Sequence, residues 1–274
     1  MIPEQFQRTR LLLGEAAMER LSGAHVAVFG VGGVGGYVVE ALARSGVGRF
    51  TLVDNDTVAL SNLNRQIIAT MDTVGRPKTE VMRERILSIN PDAEIICYPM
   101  FYLPEHADEI DFSGFDYIVD AIDTVTAKIS LVMQAKEAGV PIISSMGTGN
   151  KTDPTGLKIA DIYETSVCPL AKVMRRELRK RGIERLKVVY SEEEPITPLA
   201  DDDAHRQAQQ NVSAPAQLNV SEPAQQAQKG GGASAKRQRP VPGSCAFVPP
   251  VAGLILASEV IKDLSEGPER KGAV

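Results

Sequence analysis

Residues 25–36 read HVAVFGVGGVGG, an apolar segment that runs directly into a glycine loop. A continuous apolar run is typical of a strand buried in a parallel sheet. The loop has the spacing Gly30-x-Gly32-x-x-Gly35, whose glycines let the backbone approach a phosphate at the start of the following helix. The pattern predicts a nucleotide site without naming the nucleotide. A glycine turn that binds nothing is the alternative.

Strand and helix patterns alternate along the chain. The predicted strands are residues 26–29, 50–54, 93–99, 117–121, 140–145 and 186–191, and residues 158–163 start a further set for which antiparallel pairing is one option. The predicted helices are residues 9–22, the segment from the glycine loop to residue 45, and residues 78–89, 127–138, 169–181 and 251–264. This alternation predicts an α/β fold, a doubly wound, Rossmann-like and mostly parallel sheet with helices on both faces.

Bulk composition excludes several protein classes. A net charge of −5 shows that the surface as a whole is not built for nucleic acid, although a local basic patch can still serve. Three scattered cysteines without a Cys-x-x-Cys pair argue against a disulfide scaffold and a four-cysteine zinc site. No signal-peptide pattern opens the sequence, and the apolar residues 246–260 are too few and too interrupted to span a bilayer. We therefore expect a cytoplasmic protein without stable membrane insertion.

The composition changes at residues 200–242, which are rich in Gln, Ala, Pro, Ser, Asn and Gly and almost free of large apolar side chains. Such a segment cannot bury enough surface to offset the entropy lost on ordering. We expect a disordered or mobile insertion there. It would interrupt one domain formed by residues 1–199 and 243–264, with residues 265–274 as a flexible tail.

Polar residues after the glycine loop narrow the choice of nucleotide. Asp54 ends the second predicted strand at the spacing where a carboxylate reaches a ribose hydroxyl. Asn62, Arg65, Gln66 and Lys78 follow, and a redox dinucleotide site would not need them. Arginine forks and lysine point charges suit a triphosphate, above all while a phosphorus centre is being transferred. Together these residues favour adenylation over hydride transfer with NAD.

Each polar residue also has a simpler interpretation. Arg65 or Lys78 alone is more often a solvated surface cation, and Asn62 alone is most often a turn or helix cap. Asp123 follows the fourth predicted strand, at the sheet edge where open α/β folds bind ligands. A carboxylate there could hold Mg²⁺ on the phosphates. The alternative for Asp123 is the N-cap of the next helix.

The motif order resembles that of the E1-like (ThiF/MoeB/HesA) adenylating superfamily, which includes the bacterial activators of ThiS-type and MoaD-type sulfur carriers. The resemblance covers about residues 8–165. Its five motifs are the glycine loop, Asp54, Ser61-Asn62-Leu63-x-Arg65-Gln66, Lys78 and Asp120-Ala121-x-Asp123. Within the superfamily the chain is similar to the tRNA threonylcarbamoyladenosine dehydratase branch. The segments that carry this finer likeness are residues 8–14, 89–91, 147–155, 160–162 and 168–171.

The resemblance implies roles for the site residues. Arg65, Lys78, Asp123 and Arg10 would be catalytic, with Asp123 holding Mg²⁺. Arg10 matches an arginine that reaches the partner subunit's ATP in relatives, which implies a homodimer with composite sites. The remaining ATP-binding set would be Gly30, Gly32, Gly33, Gly35, Asp54, Asn62 and Gln66, with Asp54 on the ribose.

The implied reaction is an adenylation. The substrate would be a tRNA whose anticodon-adjacent adenosine carries a threonylcarbamoyl group, N6-threonylcarbamoyladenosine (t6A). Its carboxylate would attack the α-phosphate of ATP, and ring closure would then give cyclic t6A. One alternative is adenylation of a sulfur-carrier protein, and a less favoured one is an NAD(P)-dependent oxidoreductase. A sulfur-relay protein such as a cysteine desulfurase is a possible partner.

A strongly basic segment follows Cys168. Its cations are Lys172, Arg175, Arg176, Arg179, Lys180, Arg181, Arg185 and Lys187. Clusters of this kind bind phosphate backbones, which suits a tRNA partner, although a solvated helix face is the alternative. A covalent role for Cys168 is the less favoured option. Only the neighbouring cations would lower its pKa, and the reaction needs no nucleophilic cysteine.

Overall fold

The computed structural model describes residues 2–198 and 242–266. Within them, one sheet contains β1 His25–Phe29, β2 Arg49–Val53, β3 Glu94–Tyr98, β4 Tyr117–Asp120, β5 Ile142–Ser145, β6 Leu157–Asp161 and β7 Lys187–Ser191. The spatial order is β3-β2-β1-β4-β5-β7-β6. All neighbours are parallel except β6 and β7. The predicted insertion, up to residue 241, and the predicted tail from residue 267 lie outside the described residues.

Seven α-helices are seen in the same residues. They are α1 Gln7–Leu13, α2 Glu15–Gly23, α3 Gly35–Arg44, α4 Lys78–Ile89, α5 Val125–Ala138, α6 Pro169–Lys180 and α7 Val248–Ser265. The prediction of one helix over residues 9–22 is wrong. Gly14 adopts a φ of +84°, a left-handed conformation that interrupts the helix and that glycine tolerates best. None of these helices is long and apolar enough to cross a membrane.

Helices cover both faces of the sheet, as predicted. Every residue of β1 is buried. Val26 and Val28 pack into one apolar cluster with α2, α3, α4 and α7, whereas Ala27 and Phe29 pack into the other with α5 and α6. This two-sided burial explains why the strand reads as a continuous apolar run instead of an alternating one. The doubly wound, mostly parallel fold is confirmed.

The C-terminal helix α7 returns to the main sheet. It begins at Val248, three residues before the predicted start, because Pro249 and Pro250 occupy its first turn, where a missing N–H costs nothing. A Cβ on Gly253 would lie 2.3 Å from the Val34 carbonyl oxygen, so α7 crosses the start of α3 at backbone contact. Residues on both sides of the segment 199–241 therefore pack against each other.

Strand register brings the ends of β1, β2 and β4 into line. Phe29 is paired with Val53 on one side and with Asp120 on the other. The residues that follow these three strands therefore emerge at one edge of the sheet. The strand order reverses between β1 and β4, so this edge is the position where doubly wound folds bind ligands.

Candidate nucleotide site

The glycine loop between β1 and α3 is packed too tightly for side chains at two positions. Gly30 has a φ of +88°, and a Cβ there would lie 2.7 Å from the Ala121 carbonyl oxygen. A Cβ on Gly35 would lie 1.8 Å from the carbonyl oxygen of Gly30. The tight turn places the N-terminus of α3 at the sheet edge where β1, β2 and β4 end. Its free N–H groups and positive dipole end suit a phosphate there.

Asp54 ties this loop to the end of β2. Its Oδ2 accepts the Val31 N–H at 2.7 Å, and its Oδ1 accepts the Asp56 N–H at 2.9 Å. Burial raises the pKa of Asp54, and the nearby Lys78 ammonium works against that rise. The carboxylate therefore lies beside the loop, as the predicted ribose contact requires.

Lys78 is buried at the start of α4, with 5% of its surface exposed. Its Nζ lies 2.7 Å from Asp56 Oδ2 and 3.9 Å from Asp54 Oδ1. The alternative of a solvated surface cation is therefore wrong for this residue. Asp56 was missed in the sequence, and the only signal for it was a second acid two residues after Asp54.

Arg65 and Gln66 lie against the glycines. A Cβ on Gly33 would lie 3.3 Å from Arg65 Cγ, and a Cβ on Gly32 would lie 3.8 Å from Gln66 Nε2. Burial lowers the pKa of Arg65. Its Nη1 donates to the Ser61 carbonyl at 3.0 Å, which orients the guanidinium. The structure thus places both predicted residues next to the glycine loop.

The side-chain oxygens of Gln66 and Asn62 differ in their hydrogen bonding. Gln66 is buried, and its Oε1 has no hydrogen-bond partner in the described structure. A buried polar atom without a partner is rare and needs an explanation, such as a ligand. Asn62 Oδ1 instead accepts the Ala59 N–H at 3.1 Å. The cap interpretation of Asn62 is therefore correct for its side-chain oxygen.

Asp123 is exposed at the same edge, beyond β4. Its Oδ1 accepts the Thr124 hydroxyl at 3.3 Å, and α5 begins at Val125 without a side-chain cap, so the N-cap alternative is wrong. No group of three metal-ligating side chains occurs in the described part of the chain. One open carboxylate next to a phosphate cradle still fits Mg²⁺, which is often held by one or two carboxylates, substrate phosphates and water.

Arg10 is the predicted site residue that the structure does not connect to this edge. Its Nε donates to Gln7 Oε1 within α1, at 2.8 Å. The next two side chains, Leu11 and Leu12, are 77% and 86% exposed. No α1 residue is buried. Helix α1 therefore presents an apolar surface outward next to a half-buried Arg10, and the role of Arg10 stays a prediction.

Cys168 is buried immediately before α6, with 1% of its surface exposed. A thiol enclosed in this way is not accessible to a macromolecular acyl or sulfur donor. The covalent alternative for Cys168 therefore receives no support from the structure.

Only part of the basic segment lies on α6, where it forms the exposed face; Arg181 and Arg185 follow the helix, and Lys187 lies on β7. Ala171, Met174 and Leu178 are buried on the other side of α6. Glu177 forms ion pairs with Lys180, Arg181 and Arg176, which lower its pKa to about 2. The Arg179 guanidinium lies 5.1 Å from the centre of the Tyr163 ring. The exposed face therefore keeps an excess of positive charge and includes an aromatic ring that the sequence pattern did not reveal.

Comparison with known proteins gives a consistent result. The model of the ThiF family matches residues 6–273. The tRNA threonylcarbamoyladenosine dehydratase of Bacillus subtilis (strain 168) is 42% identical over 268 residues, which cover 97% of each chain. That of Escherichia coli (strain K12) is 36% identical over 206 residues, covering 72% of this chain and 77% of the relative. An adenylyltransferase and sulfurtransferase of Saccharomyces cerevisiae (strain YJM789) is 34% identical, but over only 54% of this chain and 34% of its own length.

Solved structures agree with this ranking. The E. coli tRNA N6-threonylcarbamoyladenosine dehydratase in complex with ATP has a TM-score of 0.78 and 29% identity, covering 98% of this chain and 97% of that one. Its complex with AMP has a TM-score of 0.77 at the same identity, covering 96% and 94%. E. coli MccB with ATP, at 19% identity and a TM-score of 0.60, shares the fold.

Proposed function

Because the chain belongs to the ThiF family, we propose that it is an ATP-dependent tRNA-modifying enzyme that dehydrates t6A next to the anticodon to cyclic t6A. One observation carries this proposal. Arg65 and Gln66 lie against the glycine loop, and Asp54 connects the loop to a buried Lys78, in a chain that is 42% identical, over 97% of its length, to a tRNA threonylcarbamoyladenosine dehydratase. The proposed cytoplasmic location follows from this substrate.

The residues around the loop suit ATP better than a redox dinucleotide. The loop and the N-terminus of α3 supply N–H donors, while Arg65 and Lys78 supply two cations. Asp54 takes the ribose. Gln66 is buried with its amide nitrogen nearest to Gly32, and its Oε1 has no partner in the described structure. The relative solved with ATP supports this assignment.

Adenylation needs charge stabilisation at the α-phosphate. The t6A carboxylate attacks that phosphorus, pyrophosphate leaves, and an acyl-adenylate forms. Arg65 and Lys78 stabilise the negative charge that develops in the transition state, a role in which one donor is typically worth about 10²–10³ in kcat. Lys78 enters the reaction fixed in place, because Asp56 and Asp54 hold its ammonium group in a buried position.

The ring-closure step needs less catalytic assistance from the protein than the adenylation step. The carbamoyl nitrogen attacks the activated carbonyl of the same threonylcarbamoyl group, and AMP leaves. Overall one water is removed from the nucleoside. Because nucleophile and electrophile belong to one substituent, the effective molarity is already high. A nucleophilic cysteine is not required, which agrees with the burial of Cys168.

Mg²⁺ fits the site through Asp123. The carboxylate is exposed at the phosphate edge, and its one side-chain hydrogen bond in the described structure is from a neighbouring hydroxyl. When bound, the ion would neutralise phosphate charge and orient the leaving pyrophosphate. Asp123 would hold it together with phosphate oxygens and water.

Two surfaces complete the proposal. The basic face of α6 binds the tRNA backbone, and its excess of positive charge supports that assignment. Helix α1 joins two copies into a homodimer, in which Arg10 reaches the partner's ATP; the exposed Leu11 and Leu12 support this interface. A sulfur-relay partner stays a prediction, because nothing in the described residues supports it.

The deciding experiment supplies the purified protein with ATP, Mg²⁺ and tRNA that carries t6A, followed by mass analysis of the nucleosides. We expect the modified adenosine to lose the mass of one water, with release of AMP and pyrophosphate. Arg65→Ala and Asp123→Ala should each reduce that conversion by about 10²-fold or more while keeping the wild-type circular dichroism spectrum. Pyrophosphate exchange that requires a protein ending in Gly-Gly instead of tRNA would refute the proposal.

A further inference from the structure

Asp120 and Lys128 form an ion pair that is fully enclosed by protein. Lys128 Nζ lies 2.9 Å from both carboxylate oxygens, and neither side chain is exposed to solvent. Removing two charges from water is costly, and an apolar pair of similar volume is often as stable or more stable. A contribution to stability therefore does not explain why this pair is present. The contacts of the Asp120 carboxylate indicate another role.

Asp120 is the last residue of β4 and anchors the turn that follows. Its Oδ1, besides accepting from Lys128, accepts the Ile122 N–H at 3.2 Å. On the other side of the turn, the Ala121 N–H donates to the Phe29 carbonyl at 2.8 Å. The peptides that join residues 120–121 and 121–122 are thus each held by one hydrogen bond.

The same turn packs against the glycine loop. The Cβ position of Gly30 lies 2.7 Å from the Ala121 carbonyl oxygen and 3.2 Å from the Ile122 nitrogen. The Cβ position of Gly35 lies 3.2 Å from Ala121 Cβ. One short segment therefore supports the glycine loop with its backbone and presents the Asp123 carboxylate immediately afterwards.

We propose that the Asp120–Lys128 pair is a positioning device that fixes the turn at Ala121 and Ile122, so that the Asp123 carboxylate, which follows this turn, is directed at phosphates held in the glycine loop. Lys128 acts by orienting Asp120 and does not itself touch the nucleotide. This inference rests on the proposed function for the role of Asp123. It goes beyond that function by assigning the placement of the metal-binding carboxylate to a charge pair buried behind it.

The test uses the double variant Asp120→Leu/Lys128→Met in the full chain. Replacing both residues avoids an unpaired buried charge, so we expect the protein to fold with a Tm close to that of the wild type. Two measurements follow. Hydrogen exchange at the Ile122 amide, without ligand, should become faster. In calorimetric titrations, the Mg²⁺ concentration needed to strengthen ATP binding should rise about tenfold to a hundredfold, as for lost support behind a metal ligand.

A control is available on β6, at the end of the strand order. Lys158 pairs there with Glu192 at 2.5 Å, and both side chains are exposed enough that Lys158→Met leaves no buried charge unpaired. Lys158→Met should leave Ile122 exchange and the Mg²⁺ dependence unchanged. The proposal is overturned if the folded double variant keeps wild-type Ile122 exchange and Mg²⁺ dependence, or if Lys158→Met changes both. If the wild-type chain binds no ATP, the proposed function fails, whereas Ile122 exchange still tests whether the pair fixes the turn.

Discussion

Gly30 and Gly32 both belong to the glycine loop, but they differ in backbone conformation and in the space available for a side chain. Gly30 has a φ of +88° and no room for a Cβ, whereas the nearest atom to a Cβ on Gly32 is 3.8 Å away. We expect Gly30→Ala to lower the free energy of unfolding by about 1–3 kcal/mol, since strain of this kind costs that much. Gly32→Ala should keep its Tm and weaken ATP binding instead, because a methyl group blocks close approach of the phosphate.

Thermal denaturation and calorimetric ATP titration separate these two effects. Equal losses of stability in both variants would show that the loop is constrained uniformly. Unchanged ATP affinity in Gly32→Ala would show that the phosphates bind elsewhere.

His25 should make stability depend on pH. It is buried at the start of β1, its Nε2 lies 2.9 Å from Thr51 Oγ1, and burial, followed by the nearby Arg49, lowers its pKa below 6.5. The unfolded chain therefore binds the proton more readily than the folded one. The free energy of unfolding should fall as pH drops below about 6.5 and level off once pH is below the folded pKa.

Urea denaturation between pH 7 and pH 5.5 checks this expectation. His25→Gln should flatten the slope in that range relative to the wild-type chain. A slope that is unchanged in His25→Gln would assign the dependence to other groups.

At single residues, sequence reasoning succeeded where motif order and sheet topology act together. Parallel strands deliver their carboxyl ends to one edge, so Asp54 had to meet the glycine loop. Asp56 and Lys128 were missed because no local pattern predicts their partners. The partner of Asp56 depends on the path of a loop, and the partner of Lys128 depends on how its helix packs. A lysine inside the predicted helix 127–138 was the only sign of a buried charge.

At the scale of elements, the main error came from a single glycine. Apolar periodicity continues through residues 9–22, but Gly14 turns the chain with a φ of +84° and separates α1 from α2. Periodicity records which side chains face the same way and carries no information on φ at one position. The break matters, because it leaves α1 free to present its apolar side chains outward.

Helix α6 should account for part of the salt dependence of tRNA binding. Lys172 and Arg179 are exposed on its basic face, and no ion pair in the described structure engages either residue. Each phosphate contact that is lost reduces the slope of log K against log salt by about 0.7–0.9. The double variant Lys172→Ala/Arg179→Ala should therefore bind tRNA more weakly, with a slope smaller in magnitude by about 1.5.

Fluorescence anisotropy with labelled tRNA at several KCl concentrations measures that slope. Lys262→Ala, an exposed lysine on α7, is the control and should leave it unchanged. A wild-type slope in the α6 double variant would show that the basic face is only solvated. ATP affinity measured without tRNA should be the same in all three proteins.

At the scale of the whole molecule, the sequence predicted a doubly wound sheet but not the position of its last strands. β7 lies between β5 and β6, although β6 precedes it in the chain. Antiparallel pairing of β6 with β7 had been only one option, and hydrogen bonding along the whole of β6 decides it. Periodicity identifies strands, whereas their neighbours depend on connections that are longer than any local pattern.

The proposed homodimer predicts that two inactive variants restore each other. In a two-fold symmetric dimer, each site would combine Arg65 of one subunit with Arg10 of the other. Arg10→Ala and Arg65→Ala should each be inactive alone. After mixing, unfolding and refolding in equal amounts, half of the dimers contain one of each subunit. Each mixed dimer has one intact site, so about a quarter of wild-type turnover should return.

Nucleoside mass analysis of the refolded mixture, with light scattering for the oligomeric state, checks this outcome. Arg8→Ala is a suitable control, because Arg8 is an exposed arginine on the same helix. It should keep its activity alone, provided that α1 acts through Arg10 and not through general positive charge. A monomer in solution, or no recovery in a mixture shown to contain mixed dimers, would mean that each subunit completes its own site. In that case Arg10 would have no catalytic role.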